Sequence, residues 1–356
     1  MNFYDSLQLN TNDLKNKIKN AEDKKEKNKF ILSMTTRAVL IVIFSIIFIA
    51  PATTLFGSEN SALAVSLLCI LLSVRFVDFG YCIKDSLINM GVVFFLLVAG
   101  PAVGYLLNPI LAAVVHFAAF MIILMMTSDQ PIMGNGGLYA FSYIFLVGNP
   151  VRGELLFKRF MLALTGYIIC GIIFYYKHKT KNKEIRFYSI VKSFSFSDKK
   201  CLWQFQFALG VSILLGICGL FKMERMMWAG FACASLLGCY SSSADIISQT
   251  RERFYERIIG ALLGSGLFAL AYTFIPPQYY SLFGPIGGIL LGFCTEYRHK
   301  TAINCFGALL LATGIYGLGG SVWMRIINNI IGALFGYGFS YIYQKITLTK
   351  LNSKKA

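Results

Sequence analysis

The sequence predicts an all-α fold: a polytopic membrane protein with about twelve transmembrane helices in two pseudo-repeated halves of six. Of its 356 residues, 56% are hydrophobic, only 14% are charged, and the mean hydropathy is +0.62. Globular soluble proteins carry about 25% charged residues, so this composition excludes a soluble chain. The apolar runs lack the polar alternation of a membrane β-barrel. At about 20 residues per crossing, the length allows ten to twelve helices and no separate catalytic domain.

Apolar runs bounded by charged residues, Pro or Gly define the predicted helices. They cover residues 36–56, 61–77, 84–106, 109–127, 136–148, 155–177, 203–221, 226–243, 253–275, 281–297, 301–317 and 322–345. The chain then divides into a polar cytoplasmic N-terminal segment, a first six-helix half, a basic cytoplasmic linker, a second six-helix half and a basic cytoplasmic tail. These segments cover residues 1–35, 36–177, 178–202, 203–345 and 346–356.

The net charge of +16 lies mostly beside the apolar runs. Residues 177–200 carry +6, residues 345–356 carry +4 and residues 1–30 carry +2. Basic residues next to membrane helices mark the cytoplasmic side, so we interpret these clusters as orientation signals rather than as a nucleic-acid or lipid-headgroup site. We expect a multi-pass protein of the cell membrane with both termini in the cytoplasm. Five basic residues depart from this rule: Arg152, Lys158, Arg159, Lys222 and Arg225.

An internal repeat relates the two halves. Residues 258–266 and 330–338 are identical at seven of nine positions, and an arginine stands seven positions before the first Gly of each. The same basic-to-Gly spacing occurs twice in the first half, so basic residues open the third, sixth, ninth and twelfth helices. These are Lys84, Arg159, Arg253 and Arg325, separated by 75 and 72 positions within the halves and by 166 to 169 between them. The register indicates two homologous halves, each made of two three-helix segments.

An odd number of helices per segment reverses the direction of the next segment, so each half is predicted to be an inverted repeat, as in many transporters. The middle helix of each segment has a short apolar core, at residues 62–74, 138–147, 226–240 and 302–315. The shortest core spans only about 15 Å of a hydrocarbon layer about 30 Å thick. Two interpretations stay open: broken elements that line a cavity, or helices that include flanking polar residues.

Ionisable residues at helix level are costly in hydrocarbon and mark candidate functional sites. A set of Arg and Lys side chains can attract an anion into a low-dielectric path, and acids with a raised pKa can carry protons. The predicted substrate path consists of Arg253, Arg257, Arg325, Arg159 and Lys84. The predicted sites of proton coupling or ion pairing are Asp78, Asp245, Asp129 and Glu296.

Glycines form a second pattern. Gly260 and Gly264, like Gly332 and Gly336, have the GxxxG spacing that lets helix backbones approach closely, so we expect all four to serve helix packing. For the lone His116 we favour a packing role over a proton relay. No Cys/His cluster, Walker loop or hydrolase motif occurs, so we expect no cofactor, no metal site and no enzymatic activity.

Residues 253–264, which read Arg-Phe-Tyr-Glu-Arg-Ile-Ile-Gly-Ala-Leu-Leu-Gly, follow a Trp-Ala-Gly sequence at 228–230. This arrangement resembles the fusaric acid resistance and aromatic acid exporter family, in which a Trp-Ala is followed by Arg-x3-Arg-x2-Gly-Thr-x2-Gly at the start of the next helix. Ala261 replaces the Thr here, and Arg37 resembles the arginine that opens the family's first helix. The resemblance is strongest over residues 203–275, and residues 177–200 are too few for the large soluble domain of many members.

The resemblance implies proton-driven export of aromatic carboxylic acids or related organic anions. Together with the basic residues, it leads to the hypothesis of an efflux transporter for small organic anions. We expect the protein to interact with this organic anion and with the lipid bilayer, and we expect no binding of nucleic acid. Whether it forms a homo-oligomer stays open. Two alternatives also stay open: a passive anion channel, like plant channels of similar six-helix design, and a non-transporting membrane scaffold. The scaffold hypothesis predicts that neutralising Arg253 and Arg257 together leaves function and complex assembly intact.

Overall fold

The computed structural model describes the backbone of residues 2–240 and 245–353 and, within these ranges, the side chains up to residue 347. The described residues form α-helices, short 3-10 turns and connections, with no strand among them, which confirms the predicted all-α fold. The helices are α1 (Phe3–Gln8), α2 (Thr11–Asn20), α3 (Lys24–Phe56), α4 (Ser61–Val74), α5 (Ile83–Leu106), α6 (Pro109–Thr127), α7 (Asn135–Val147), α8 (Gly153–His178), α9 (Phe187–Lys192), α10 (Lys199–Leu220), α11 (Met227–Leu237), α12 (Ile246–Phe274), α13 (Phe283–Phe293) and α14 (Tyr297–Ser353).

The helices share their centres with the predicted apolar runs but differ at their ends. α3 begins at Lys24 instead of residue 36, because Lys and Glu have good helix propensity and continue the helix beyond the apolar run,. The last two predicted helices are joined in α14, which has a break at Gly317, where φ is 68° and ψ is 172°. Only glycine adopts this conformation readily. The predicted end of the helix at 226–243 falls partly outside the described residues.

Seven of the described helices are long and apolar enough to cross a membrane, which makes the chain a multi-pass membrane protein. They are α3, α5, α6, α8, α10, α12 and residues 297–347 of α14. Four further described helices are apolar but shorter: α4 with 14 residues, α7 with 13, and α11 and α13 with 11 each. These lengths do not confirm the twelve crossings expected from the sequence, so that number stays a prediction.

The chain divides into two compact units. Unit 1 consists of Met1–Ile47 and Tyr255–Asn329, and unit 2 consists of Phe48–Phe254 and Ile330–Ala356. Each unit combines segments from both predicted halves. The division into halves by chain position therefore stays a prediction about the repeat and does not describe the compact units.

Unit 2 contains a bundle in which α6 packs against α5, α7 and α10, and α7 also packs against α4 and α11. Phe120 of α6, Tyr143 of α7 and Phe207 of α10 are fully buried there. α6 begins at Pro109 because a proline at the first helical position loses no intrahelical hydrogen bond,. Asn108 caps the same end by accepting the backbone N–H of Leu111 at 3.0 Å,.

Unit 1 depends on close approach at glycines. A Cβ atom at Gly264 would lie 2.3 Å from the carbonyl oxygen of Ala302, so α12 and the start of α14 are in backbone contact. A Cβ atom at Gly292 would lie 2.6 Å from the Cβ of Ala38, so the end of α13 packs directly on α3. Small residues thus set the helix spacing in this unit.

The third helix of each predicted three-helix segment packs on the middle helix of the other segment in the same half. In the first half, α5 packs on α7 and α8 packs on α4. In the second half, α12 contacts the first part of α14 at Gly264, and the second part of α14 contacts α11, where Gly332 meets the backbone of Ala229. The same pairing of helices therefore occurs in both halves.

Candidate functional site

Three of the five basic residues predicted for the substrate path are buried. Arg159 is 2% exposed, Arg257 8% and Arg325 5%, whereas Arg253 is half-buried and Lys84 is exposed. Arg257 and Arg325 both belong to unit 1, and Asn329 connects them, since it accepts from Arg257 and donates to the backbone carbonyl of Arg325. The other three belong to unit 2. The structure thus brings Arg257 and Arg325 together.

Arg257 lies on the buried face of α12, and neutral groups hold its guanidinium. Its Nε donates to Oδ1 of Asn329 at 2.9 Å, and its Nη1 donates to the hydroxyl of Tyr297 at 3.0 Å. Asn329 is itself fixed, because its amide donates to the backbone carbonyl of Arg325 at 2.7 Å. Both of these acceptors are uncharged, so the charge of Arg257 is oriented but not neutralised by them.

A band of polar residues surrounds these two arginines, and we call it the polar seam. The residues recur at helical spacing on α12 and on both parts of α14, so each helix presents one polar face within an otherwise apolar sequence. Apart from the half-buried Tyr297, all of them are buried. The polar seam consists of Arg257, Ser265, Tyr297, Thr301, Cys305, Ser321, Arg325, Asn328 and Asn329.

Three hydroxyl groups of the polar seam are buried and have no hydrogen-bond partner in the described part of the chain. They belong to Ser265, Thr301 and Ser321. A Ser or Thr in a helix commonly donates to the carbonyl one turn earlier, as Thr313 does to Leu309 at 2.7 Å. Because buried polar groups normally have partners, these three hydroxyls are candidate contacts for a polar ligand.

Arg159 has a different environment, in unit 2. Its Nε donates to Oδ1 of Asn60 at 2.7 Å, its Nη1 to the carbonyl of Asn149 at 2.7 Å and its Nη2 to the carbonyl of Glu59 at 3.0 Å. These contacts join the start of α4 to the end of α7. All three nitrogens of the guanidinium are engaged, so the geometry favours a structural clamp, and a role of Arg159 in the substrate path stays a prediction.

Two of the predicted acids form ion pairs with the basic linker. Asp78, after α4, lies 3.3 Å from Nζ of Lys181, and Asp129, after α6, lies 2.7 Å from Nζ of Lys200. Both carboxylates are partly accessible, at 13% and 21% of their side-chain surface. This geometry corresponds to the ion-pairing alternative for these two residues.

A third aspartate, which the sequence did not single out, fixes the short helix α9 of the linker. Asp85 accepts hydrogen bonds from Nε and Nη2 of Arg186 at 2.9 and 3.0 Å and from the backbone N–H of Phe187 at 2.9 Å. Hydrogen bonding to Asp85 also raises the pKa of Arg186, so this pair keeps its charges. The linker is therefore attached to unit 2 by three separate aspartates.

The remaining two predicted acids lie at helix ends. Asp245 accepts the backbone N–H of Ser248 at 2.9 Å in the first turn of α12. Glu296, which precedes α14, is exposed and lies 3.2 Å from Arg298 and 3.4 Å from His299. Neither acid forms a hydrogen bond to a polar-seam residue among the contacts described for the chain.

His116 is paired with a tyrosine inside unit 2. Its Nδ1 lies 2.9 Å from the hydroxyl of Tyr143, and both side chains are buried. Glycines of α5 make room for the pair, since a Cβ atom at Gly104 would lie 2.5 Å from the His116 ring and one at Gly100 would lie 2.5 Å from the Tyr143 hydroxyl. This close fit favours packing.

Several residues of the polar seam are not among the site residues predicted from the sequence, because that prediction relies on charge and on the internal repeat. The neutral residues Tyr297, Ser321 and Asn329 hold or accompany the arginines, but none stands out by type. A usable signal did exist on α14, where polar residues at 321, 325, 328 and 329 share one helical face,.

Residues 211–339 match the family described as fusaric acid resistance protein-like. The matched region extends from α10 into the second part of α14 and includes every residue of the polar seam. The match confirms the family resemblance expected from the sequence and supports a membrane transport protein. No curated protein and no solved structure matches the chain.

Proposed function

We propose that this chain is an efflux transporter of small organic anions, and that Arg257 and Arg325 bind the anion in the polar seam. The observation that carries the proposal is the burial of two guanidinium groups, 8% and 5% exposed, on residues that Asn329 connects by hydrogen bonds. The family match over residues 211–339 supports the transport part of the proposal.

The electrostatics favour an anionic guest. A buried charge costs several kcal/mol unless a counter-charge or strong hydrogen bonds compensate for it. The hydrogen bonds of Arg257 go to an amide and a phenol, so an entering carboxylate would add a negative charge that these two groups do not carry. The hydroxyls of Ser265, Thr301 and Ser321 would then act as neutral donors around it.

The finer features of the proposal rest on the family resemblance. Aromatic carboxylic acids are the proposed substrate class, and the proton gradient is the proposed driving force. Arg253 and Lys84 remain proposed members of the path outside the seam, and a homo-oligomer stays open. The test therefore needs a panel of anions and control of the pH gradient.

We also propose twelve crossings with both termini in the cytoplasm of a cell-membrane protein. The apolar part of α14 covers residues 297–347, which is 51 residues. At 1.5 Å per residue, a continuous helix of this length would extend about 75 Å, more than twice the hydrocarbon thickness. The break at Gly317 allows two crossings. The basic linker and tail support the orientation.

Flux measurements test the proposal directly. Purified protein in liposomes should move aromatic carboxylates when a pH gradient is applied. Arg257→Gln should lower the initial rate about tenfold or more, because a hydrogen bond to a charged group contributes about 1.5 to 3 kcal/mol. Arg251→Gln, at an exposed position of the same helix, is the matched control and should keep the wild-type rate. Arg257→Lys keeps the charge and should restore part of the flux.

Cys305 offers a second readout within the polar seam. It is fully buried yet lies beside Arg325, whereas the equally buried Cys233 packs against Gly336 in unit 2. We expect an anionic methanethiosulfonate to modify Cys305 faster than a cationic one of similar size, and a transported anion to protect it. Peptide mass spectrometry reads each cysteine separately, so Cys233 serves as the unreactive control.

The outcomes separate the alternatives. If folded protein moves no anion of the panel, the transport hypothesis is contradicted and the membrane-scaffold hypothesis is favoured. Flux that follows the anion gradient and ignores the pH gradient indicates the passive channel. Normal flux and assembly after Arg253→Gln and Arg257→Gln together would remove these arginines from the path.

A further inference from the structure

Residues 2–20 contain two short helices, α1 and α2, that pack against other segments of unit 1, and we call these residues the N-terminal cap. Asn2 caps α1 by accepting the backbone N–H of Asp5 at 2.7 Å, and Asn10 caps α2 by accepting that of Asp13 at 2.9 Å. Side-chain caps of this kind satisfy the unpaired N–H groups at a helix start. The segment is thus a built element of the fold.

The N-terminal cap binds α3 through a small apolar cluster. Leu14 is fully buried against Phe30 and Met34 of α3, and Leu9, Ile18 and Phe293 pack around them. The hydroxyls of Ser6 and Ser33, both fully buried, lie 2.5 Å apart. Only Leu9, Leu14 and Ile18 of the cap belong to this cluster, so we expect the contact to open without unfolding of the neighbouring helices,.

A hydrogen-bonded chain leads from α3 through the cap to the end of α13. Arg37 of α3 donates to the carbonyl of Leu9 and, through Nη2, to the hydroxyl of Thr11 at 2.5 Å. The Thr11 hydroxyl donates in turn to the carbonyl of Gly292 at 3.1 Å. This carbonyl belongs to the last turn of α13, where backbone acceptors have no intrahelical partner. Thr11 therefore connects Arg37 to the end of α13.

The same region leads directly into the polar seam. Lys15 of the cap donates to the hydroxyl of Thr295 at 3.3 Å, two residues before Tyr297, whose hydroxyl accepts from Arg257. Gly292, whose carbonyl accepts from Thr11, also packs directly on Ala38 of α3. The cap thus contacts the connection between α13 and α14 at Gly292 and at Thr295, just before Tyr297.

We propose that the N-terminal cap is an autoinhibitory gate: when docked, it keeps Tyr297 on Arg257 and restricts access to the polar seam, and its release opens this end of the seam. The proposal rests on the proposed function only in taking the seam as the transport path. It assigns to Arg37 and Thr11 the task of holding the gate closed.

Thr11→Val tests the gate because it removes the hydroxyl that links Arg37 to Gly292 and leaves the side-chain shape nearly unchanged. The matched control is Thr35→Val in α3, whose hydroxyl donates only to the carbonyl of Ile31 in its own helix. In full-length protein, Thr11→Val should raise the rate at which an anionic methanethiosulfonate modifies Cys305 at least about fivefold, the factor expected from a single hydrogen bond, since the substitution removes two,. Thr35→Val should leave the rate unchanged.

Lys15→Gln keeps the test decisive if Thr11→Val does not fold. Lys15 is exposed, so its substitution does not endanger folding, and it should raise the labelling rate in the same direction by a smaller factor. An unchanged or lower rate in the folded variants overturns the gate. If the wild type moves no anion of the panel, the proposed function fails, whereas the labelling rates still decide whether the cap controls access.

Discussion

The glycine contact between α12 and α14 permits a matched stability test. A Cβ atom at Gly264 would lie 2.3 Å from the carbonyl oxygen of Ala302 and 2.6 Å from its Cα. Backbone atoms cannot rotate away as the end of a side chain can. Gly266, on the exposed side of the same helix, has no atom within 4 Å of its Cβ position. Gly264→Ala and Gly266→Ala therefore add the same methyl group to one helix in opposite surroundings.

The magnitude follows from the distance. Cβ atoms essentially never approach other atoms within 3.0 Å, so the two helices must separate by at least 0.7 Å, the difference from 2.3 Å, to accept Gly264→Ala. Overpacking lowers the free energy of unfolding by about 3 kcal/mol, and replacing Gly by Ala in a helix raises it by about 1 kcal/mol through helix propensity. We expect Gly264→Ala to destabilise the fold by about 2 kcal/mol and Gly266→Ala to stabilise it by up to about 1 kcal/mol.

Thermal unfolding in detergent measures this difference of about 3 kcal/mol. At about 2 °C per kcal/mol, the two variants should differ in Tm by about 6 °C. A second pair on α14 repeats the test, because a Cβ atom at Gly332 would lie 2.1 Å from the carbonyl oxygen of Ala229, whereas Gly338 has open space. If Gly264→Ala unfolds at the same or a higher temperature than Gly266→Ala, the close approach of the helices is refuted.

Three further predictions concern unit 2. Arg159→Gln removes a guanidinium with three hydrogen bonds and should lower the free energy of unfolding by about 3 kcal/mol or more. As a control, Arg152→Gln at an exposed position should lower it by under about 1 kcal/mol. Equal losses of stability in denaturation curves would argue against a structural clamp at Arg159. Asp85→Asn weakens the hydrogen bonds that Arg186 donates to this side chain and should increase the rate of tryptic cleavage in the linker severalfold, measured by gel time courses. An unchanged cleavage rate would mean that other contacts are sufficient to keep the linker in place. Tyr143→Phe removes the hydroxyl that lies beside the buried imidazole of His116 and should lower the free energy of unfolding by about 1 kcal/mol in the same denaturation measurement. An unchanged free energy of unfolding would mean that this hydrogen bond makes no net contribution to stability.

Hydropathy predicts helix centres well in this chain, because burial in lipid demands a continuous apolar run with its backbone hydrogen bonds satisfied internally. It predicts helix ends less well, because a helix continues past the membrane wherever polar residues have good helix propensity. α3 illustrates this at Lys24, and α6 illustrates the opposite case, where Asn108 and Pro109 give a clear start signal. Sequence alone therefore locates the apolar cores of the helices but does not set the number of crossings.

The candidate site was harder to predict, because a residue's role depends on which groups face it. Arg159 and Arg325 have the same spacing to a glycine and the same register in the repeat, so the sequence treats them alike. In the structure, backbone carbonyls and an amide surround Arg159, whereas Arg325 lies near a second arginine. Contacts across 99 or 10 positions of the chain decide this difference, and no local pattern records them.

The repeat itself then argues for a single site in the second half. With the register of 166 to 169 positions, the polar-seam residues Arg257, Ser265, Ser321, Asn328 and Asn329 correspond to positions 88, 96, 155, 162 and 163. Those positions hold Ile, Leu, Leu, Leu and Ala. At these five positions the first half has apolar residues in the corresponding helix pairs, so the packing shared by both halves does not require the polar residues found here,. This difference supports the anion-binding role proposed for the polar seam, in which Arg257 contributes the charge and the four neutral residues contribute hydrogen-bonding groups.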